Sequence, residues 1–145
     1  MPAWVNESFS EYNKRLPDEY HLNLIELAPA TRSKNNPTLK VITEEEKKIK
    51  SKIPKGSLII ALDENGNQFN SALLAKNLTA WSQQCNDLSL VIGGPDGLTN
   101  EFKKSADVLW SLSPLTLPHA LVRVIVAEQI YRAWTIMNNH PYHRE

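Results

Sequence analysis

A glycine-rich segment follows a short apolar run at residues 88–92. The run predicts a buried strand, and Thr99 predicts the N-terminal cap of the next helix. Gly93 and Gly94 therefore fall at the carboxyl end of a strand, the edge where open α/β sheets bind ligands. The spacing is not Gly-x-Gly-x-x-Gly, so the dinucleotide-binding motif is absent. The segment is either a ligand loop or an ordinary tight turn.

A second candidate loop follows a predicted strand at residues 108–111 and leads into a long helix. Its polar groups are backbone atoms and small hydroxyls, and they stand among leucines. Such a loop offers hydrogen bonds and apolar walls to an adenine ring. The alternative is an ordinary connection between a strand and a helix.

The long helix, predicted over residues 119–139, has apolar residues on nearly all sides. A helix of this kind is buried nearly all round, which in a short chain indicates burial against a second subunit. Glu128 and Arg132 are four residues apart and predict an ion pair. Because a buried ion pair is weak evidence for stability, this pair either organises a site or lies at a wet interface edge.

The last six residues combine aromatic, imidazole and guanidinium side chains, including Tyr142, His143 and Arg144. These groups suit stacking on a base and contact with phosphate. No other Cys/His cluster supports the two histidines as metal ligands, so we predict no metal site.

The composition indicates one globular domain of 145 residues, with equal numbers of basic and acidic residues (16 each). A neutral chain lacks the basic excess of most nucleic-acid binders and should bind naked RNA weakly. Among the basic residues between 32 and 55, Arg32 and Lys34 either contact RNA or belong to a solvated face. With one cysteine, no signal peptide and no apolar run of membrane length, the sequence predicts a cytoplasmic protein.

The predicted elements alternate between helices and strands, which indicates an α/β fold with a mainly parallel sheet and helices on both faces. Helices are predicted over residues 4–16, 37–52 (beginning at Pro37), 71–84, 99–106 and 119–139. Strands are predicted over 20–27, 57–62, 88–92 and 108–111, with a turn at 63–67.

Several stretches together resemble the ribosomal large-subunit methyltransferase H (RlmH) family of the SPOUT class. They are residues 1–5, 11–12, 62–63, 90–98, 110–113, 115–119, 121–124, 128–134 and 139–145. The resemblance implies a trefoil-knotted α/β domain spanning residues 1–145, with the knot and cofactor region at about 88–139. It also implies a homodimer that methylates N3 of a pseudouridine in 23S rRNA on the assembled ribosome, using S-adenosylmethionine. A ribosome-docking enzyme need not bind naked RNA tightly, which agrees with the neutral charge.

The resemblance also implies the site residues. The cofactor contacts would be Leu62, Gly93 with Gly94, and the loop Leu112, Ser113, Pro114, Leu115, Thr116 and Leu117. Pro114 departs from the small residue common in the family, and this puts a backbone donor there in question. The tail residues Tyr142, His143 and Arg144 would lie near the target base, in the site of the partner subunit.

A larger departure lies at the N-terminus, where the family has a strand before the residues that match Met1 and Pro2. Its absence explains why the chain opens on a helix. We expect a start codon placed too far downstream or a truncated chain.

The chemistry implied is displacement of a sulfonium methyl group, with the N3 proton removed before or during attack. We expect His143 to accept that proton and Arg144 to stabilise charge on the neighbouring carbonyl oxygens. Glu128 and Arg132 would support the tail. The alternative is a ribosome-binding protein that kept the fold and lost catalysis.

Overall fold

The structure, a computed structural model, describes residues 2–28, 30–31 and 37–144, apart from the side chains of residues 143 and 144. The helices are α1 (Ala3–Asn13), α2 (Thr38–Lys52), α3 (Ser71–Gln84), α4 (Asn100–Ser105) and α5 (His119–Met137). The strands are β1 (Leu58–Gln68), β2 (Leu88–Val91) and β3 (Val108–Ser111). Short 3₁₀ helices span Asp18–Tyr20 and Pro141–Arg144.

The chain divides into two compact units. The sheet unit comprises residues 25–68 and 85–114, and it contains the three strands with α2 and α4. The helical unit comprises residues 1–24, 69–84 and 115–145, and it contains α1, α3 and α5. Among the described residues, no helix is long and apolar enough to cross a membrane.

The described strands of the sheet unit form one parallel sheet in the order β2-β1-β3. Ile60 of the central strand is paired with Leu90 on one side and Val108 on the other. Parallel sheets are usually covered on both faces by the connections between their strands, which is why such strands are apolar. The mainly parallel sheet predicted from the sequence is therefore confirmed. Its core contains Ala61, Val91, Leu98 and Phe102, with Ile49 and Ile53 of the α2 region packed against them.

The predicted turn at residues 63–67 is wrong, because β1 continues through Gln68. Pairing with β3 shifts register between Leu62 and Asn67, and both of these residues lie opposite Trp110. A Cβ on Gly66 would lie 2.8 Å from the backbone carbonyl of Leu109. Glycine thus lets β1 pass close to β3 and resume pairing with it. The turn-like composition of residues 63–67 had predicted the end of the strand there.

The predicted strand at residues 20–27 is also wrong. The chain forms a 3₁₀ turn over Asp18–Tyr20 and has no regular structure from residue 21 to residue 28. Asn13 takes both backbone groups of Leu22: its Nδ2 donates to the carbonyl at 2.8 Å, and its Oδ1 accepts from the N–H at 2.7 Å. A side chain thus satisfies the hydrogen bonds that a neighbouring strand would have supplied.

The remaining helices and strands were predicted correctly, with shifted ends of the usual size. Pro37 stands at the N-cap of α2, one residue before the helix it was expected to begin. α1 ends at Asn13 where residue 16 was predicted, and α5 ends at Met137 where residue 139 was predicted.

The helical unit is built on α5, which packs against both α1 and α3. Val126, Ala127 and Ile130 of α5 are buried, whereas Leu121 is 39% exposed. Within one chain, part of the apolar surface of α5 stays exposed. Its exposed apolar surface leaves the expected second subunit as a prediction.

Candidate functional site

Glu128 and Arg132 form the predicted ion pair, one turn apart on α5. Nε of Arg132 donates to Oε1 of Glu128 at 2.8 Å, and Nη2 lies 2.7 Å from the same oxygen. The Glu128 side chain is 17% exposed and the Arg132 side chain is 25% exposed. Partial burial shields the pair from the solvent screening that weakens fully exposed ion pairs.

Tyr142 joins this pair from the chain's last turn. Its hydroxyl donates to Oε1 of Glu128 at 3.2 Å, so one carboxylate oxygen accepts from both Arg132 and Tyr142. The guanidinium of Arg132 also lies 5.0 Å from the centre of the Tyr142 ring. Cation–π attraction and the shared acceptor hold the three side chains as one cluster. We call Glu128, Arg132 and Tyr142 the tail cluster.

The end of α5 returns the chain toward the helix. Asn139 adopts a left-handed conformation with φ of 56°, which asparagine tolerates better than most residues. The N–H of His140 then donates to the carbonyl of Thr135 at 2.8 Å. A left-handed residue with this bond is the Schellman ending of a helix. It directs the tail back along α5, so Tyr142 reaches Glu128.

Aromatic rings support the tail cluster. Tyr142 meets buried Tyr131 edge to face, with ring centroids 4.6 Å apart. Tyr131 also contacts Tyr12 of α1, and the guanidinium of Arg15 lies 5.7 Å from the centres of both of these rings. Edge-to-face rings are favourable beyond the area they bury, so this packing fixes the ring of Tyr142.

The ionisation of the tail cluster follows from its contacts. Burial raises the pKa of Tyr142 well above its ordinary value, and the negative charge of Glu128 raises it further. The hydrogen bond to Glu128 raises the pKa of Arg132. At neutral pH the cluster therefore contains a neutral phenol that donates a hydrogen bond and a guanidinium that stays charged.

Two further residues orient Glu128, and the sequence interpretation missed both. Nε2 of Gln129 donates to Oε2 of Glu128 at 2.7 Å. Oε1 of Gln129 in turn accepts from the hydroxyl of Ser71, the first residue of α3, at 2.9 Å. Ser71 thereby fixes which end of the amide faces Glu128. Sequence separation hid this contact, since nothing links Ser71 to residue 129 except the packing of α3 on α5.

For four of the site residues predicted from the sequence, the structure describes only the backbone or nothing. The backbones of His143 and Arg144 lie in the final 3₁₀ turn, but their side chains are outside the description. Arg32 and Lys34, the expected rRNA contacts, lie outside the described residues.

Of the predicted cofactor residues in the sheet unit, Leu62 lies within β1 and the others follow β2 or β3. Leu62 of β1 pairs with Trp110 of β3, one residue before the end of that strand. Gly93 and Gly94 come directly after β2, and Leu112, Ser113 and Pro114 come directly after β3. Because the strands are parallel, these segments lie at one edge of the sheet, as the sequence predicted. An ion pair of 3.2 Å between Asp63, in the middle of β1, and Lys103 connects this strand to α4.

The segment at residues 93–97 is a closed turn. The N–H of Gly97 donates to the carbonyl of Gly94 at 2.9 Å, and Gly97 has a φ of 77°. A Cβ on Gly93 would lie 2.9 Å from the carbonyl carbon of Gly97. Glycine at 93 is therefore required by the packing of the turn itself, which bears out the tight-turn interpretation without excluding a ligand.

The second loop offers polar backbone beside exposed apolar surface. The hydroxyl of Ser111 donates to the carbonyl of Ser113 at 3.0 Å. Pro114 is exposed, and the side chain of Leu115 is 70% exposed. Thr116 is exposed and Leu117 is half-buried. Residues 112–114 belong to the sheet unit, and residues 115–117 belong to the helical unit.

Two buried carboxylates of α2 lie close to the turn at residues 93–97, which we call the glycine turn. The sequence analysis did not single them out, because they belong to a charged helix. Glu45 is 7% exposed and Glu46 is 6% exposed. Both oxygens of Glu46 accept hydrogen bonds from Thr99, and Glu45 lies against Gly94. The helical pattern gave a usable signal, because positions 45 and 46 share a face with Val41, Ile42 and Ile49.

Comparison with known proteins places these features in a family. A family model described as "Predicted SPOUT methyltransferase" matches residues 1–143. The chain belongs to the SPOUT methyltransferase family. The parallel sheet and its glycine turn are therefore parts of a SPOUT fold.

Three similar proteins share one name. A protein of Thioalkalivibrio sulfidiphilus called ribosomal RNA large subunit methyltransferase H is 50% identical over 145 residues, covering 100% of this chain and 93% of the relative. A protein of the same name from Herminiimonas arsenicoxydans is 50% identical over 99% of this chain and 92% of its own length. Another, from Hydrogenovibrio crunogenus, is 48% identical over 100% of this chain and 93% of its own length.

Proposed function

We propose that this chain transfers a methyl group from S-adenosylmethionine to N3 of a pseudouridine in 23S rRNA, with the assembled ribosome as substrate. The proposal rests on one observation above all. Relatives named ribosomal RNA large subunit methyltransferase H match at about half of all positions along the whole chain. The neutral net charge supports a structured substrate, because a neutral chain gains little from phosphate neutralisation.

The residues at the sheet edge fit S-adenosylmethionine. Leu62, Gly93 and residues 112–114 of the sheet unit would hold it, with backbone groups for the adenine edge and apolar side chains for its faces. When bound, the cofactor supplies a methyl group on a sulfonium sulfur.

The tail would meet the target base. The hydroxyl of Tyr142 and the guanidinium of Arg132 are both held by the carboxylate of Glu128. These groups hold the final turn of the chain, where His143 and Arg144 follow. We assign His143 as acceptor of the N3 proton and Arg144 as the group that stabilises charge on the adjacent carbonyl oxygens. Single replacements of His143 and Arg144 by alanine test this assignment, and full activity of both variants would contradict it.

A homodimer and a cytoplasmic location complete the proposal. The apolar side chains that α5 leaves exposed or half-buried, Leu121 among them, support a second subunit. In such a dimer the tail of one subunit would serve the cofactor loops of the other. Analytical ultracentrifugation tests the homodimer, because it measures the mass of the protein in solution.

The experiment uses radiolabelled S-adenosylmethionine with purified ribosomes, isolated large subunits and naked 23S rRNA from cells lacking the modification. We expect label in large-subunit rRNA, fastest on assembled ribosomes. Label on naked rRNA alone would contradict the proposed substrate. No label on any of them, together with no S-adenosylmethionine binding by calorimetry, would favour the alternative of a ribosome-binding protein without catalysis.

A further inference from the structure

The carboxylates of Glu45 and Glu46 are both more than nine-tenths buried, although they sit next to each other on α2. Burying an ionised carboxylate is costly unless hydrogen bonds replace its water. Two such carboxylates on one face of a helix therefore need hydrogen-bond partners, and those partners show which segment the two residues hold in place. The proposed chemistry uses neither residue.

Glu46 binds Thr99, the N-cap residue of α4. Its Oε2 accepts from the backbone N–H of Thr99 at 2.6 Å, and its Oε1 accepts from the Thr99 hydroxyl at 2.7 Å. Oγ1 of Thr99 also accepts from the N–H of Phe102 at 3.1 Å, which caps α4. Charge-assisted bonds of this length are the stronger ones in proteins. Both donors of Thr99 are thus committed to one carboxylate of α2.

Glu45 lies against the other end of the same segment. A Cβ on Gly94 would lie 2.7 Å from Oε1 of Glu45 and 2.9 Å from Oε2. The carboxylate therefore occupies the space beside the Gly94 backbone that any other residue would need. Oε2 of Glu45 also accepts from the N–H of Ala30 at 3.3 Å, which helps to fix the carboxylate in place.

We propose that Glu45 and Glu46 are positioning residues for the glycine turn, and that they set the affinity for S-adenosylmethionine by holding Gly94 and Thr99 against α2. The inference rests on the proposed function, in which Gly93 of this turn contacts the cofactor. α2 is a firm support, because Val41 and Ile42 are buried. A turn held at both ends keeps its backbone groups in the binding geometry before the cofactor arrives, which lowers the cost of binding.

The test compares Glu46→Ala with Glu46→Gln in the full-length protein. Alanine removes both acceptors, whereas glutamine keeps an acceptor for the Thr99 N–H and can donate to its hydroxyl. We expect Glu46→Ala to raise KM for S-adenosylmethionine about tenfold while kcat changes less than about threefold, since the turn binds the cofactor before and during transfer. Glu46→Gln should recover most of that loss.

A merely structural role would lower stability without this split in the kinetics. Thermal unfolding of each variant is therefore measured alongside, with Glu44→Ala as the matched control from the same helix. Thr99→Val, which removes only the hydroxyl, provides a second variant should Glu46→Ala fail to fold. Thr99→Val should also raise the Kd for S-adenosylmethionine.

The outcomes separate this inference from the function on which it rests. If the wild-type protein binds no S-adenosylmethionine by calorimetry, the proposed function fails. If the wild-type protein binds it and folded Glu46→Ala or Thr99→Val binds equally well, the positioning role is overturned. Equal losses in Glu46→Ala and Glu46→Gln would also overturn it, because the charge and not the two hydrogen bonds would then matter.

Discussion

The hydroxyl of Tyr142 donates to Oε1 of Glu128 at 3.2 Å, and this bond joins the last turn of the chain to the middle of α5. The same oxygen accepts from Arg132. The last residues of a chain usually fray unless something ties them down. Here the left-handed Asn139 and the ring of Tyr131 tie the tail to the helix that carries its polar partners.

Replacing Tyr142 with phenylalanine should remove the hydroxyl and keep the ring on Tyr131. We expect kcat to fall about tenfold, because the tail loses the hydrogen bond that joins it to Glu128. Stability should fall by only about 1 kcal/mol, the usual effect of one hydrogen bond. Methyl transfer and urea unfolding measure the two effects. Tyr20→Phe is the control, and unchanged kcat in the Tyr142 variant would show that the hydroxyl has no role.

The raised pKa of Tyr142 predicts how its contribution to stability depends on pH. Burial and the charge of Glu128 disfavour the phenolate in the folded state, whereas the unfolded chain ionises near the ordinary value of 10.0. The contribution of Tyr142 is therefore complete below pH 10 and is lost as the pH rises through the folded-state pKa. The difference in unfolding free energy between wild type and Tyr142→Phe should be constant at lower pH and decline above about pH 10. A decline that begins near neutral pH would contradict the burial of this phenol.

Replacing Glu128 with glutamine should remove the charge that pairs with Arg132. The guanidinium then loses its carboxylate and Tyr142 loses a charged acceptor, so we expect kcat/KM to fall about tenfold or more. Because the pair is partly buried and Glu128 accepts from both Arg132 and Tyr142, stability should fall by about 1–2 kcal/mol. Glu7→Gln on α1, where the side chain is exposed, provides the control. A large loss of stability with normal kcat/KM would make the pair structural.

Replacing Gly66 with alanine should strain the contact between β1 and β3. The new Cβ would lie 2.8 Å from the carbonyl of Leu109, and backbone atoms there cannot move aside cheaply. We expect the unfolding free energy to fall by about 2 kcal/mol, as for other overpacked sites. Asn65→Ala at the exposed neighbouring position is the control. Equal stability of the two variants would contradict the close approach of the strands.

Much of the fold could be predicted because local signals agreed with tertiary packing. The strand at residues 108–111 and the cap at Thr99 are as predicted, since each has a clear pattern and a short range. The strand predicted around Leu22 was wrong, because the side chain of Asn13 forms the hydrogen bonds that a neighbouring strand would have formed. No sequence pattern predicts such a bond. β1 extends beyond its predicted end, because Gly66 is a residue typical of turns but here allows β1 to lie close to the backbone of β3.

The candidate site divides in the same way. The spacing of Glu128 and Arg132 predicted their pair, because four residues make one helical turn. Tyr142 joined them only through the reversal at Asn139, and Ser71 reached Gln129 only through the packing of α3 on α5. The burial of Glu45 and Glu46 was hidden by their position in a charged helix. Contacts between distant segments depend on the tertiary fold, which periodicity does not specify.

The identity of the methylated nucleoside tests the central claim most directly. Ribosomes from cells lacking the modification would be treated with the protein and S-adenosylmethionine, and their 23S rRNA digested and analysed by mass spectrometry. We predict one added methyl group on a pseudouridine at N3, absent when the protein or the cofactor is omitted. A methyl group on any other nucleoside, or none in 23S rRNA while the protein binds S-adenosylmethionine, would contradict the account.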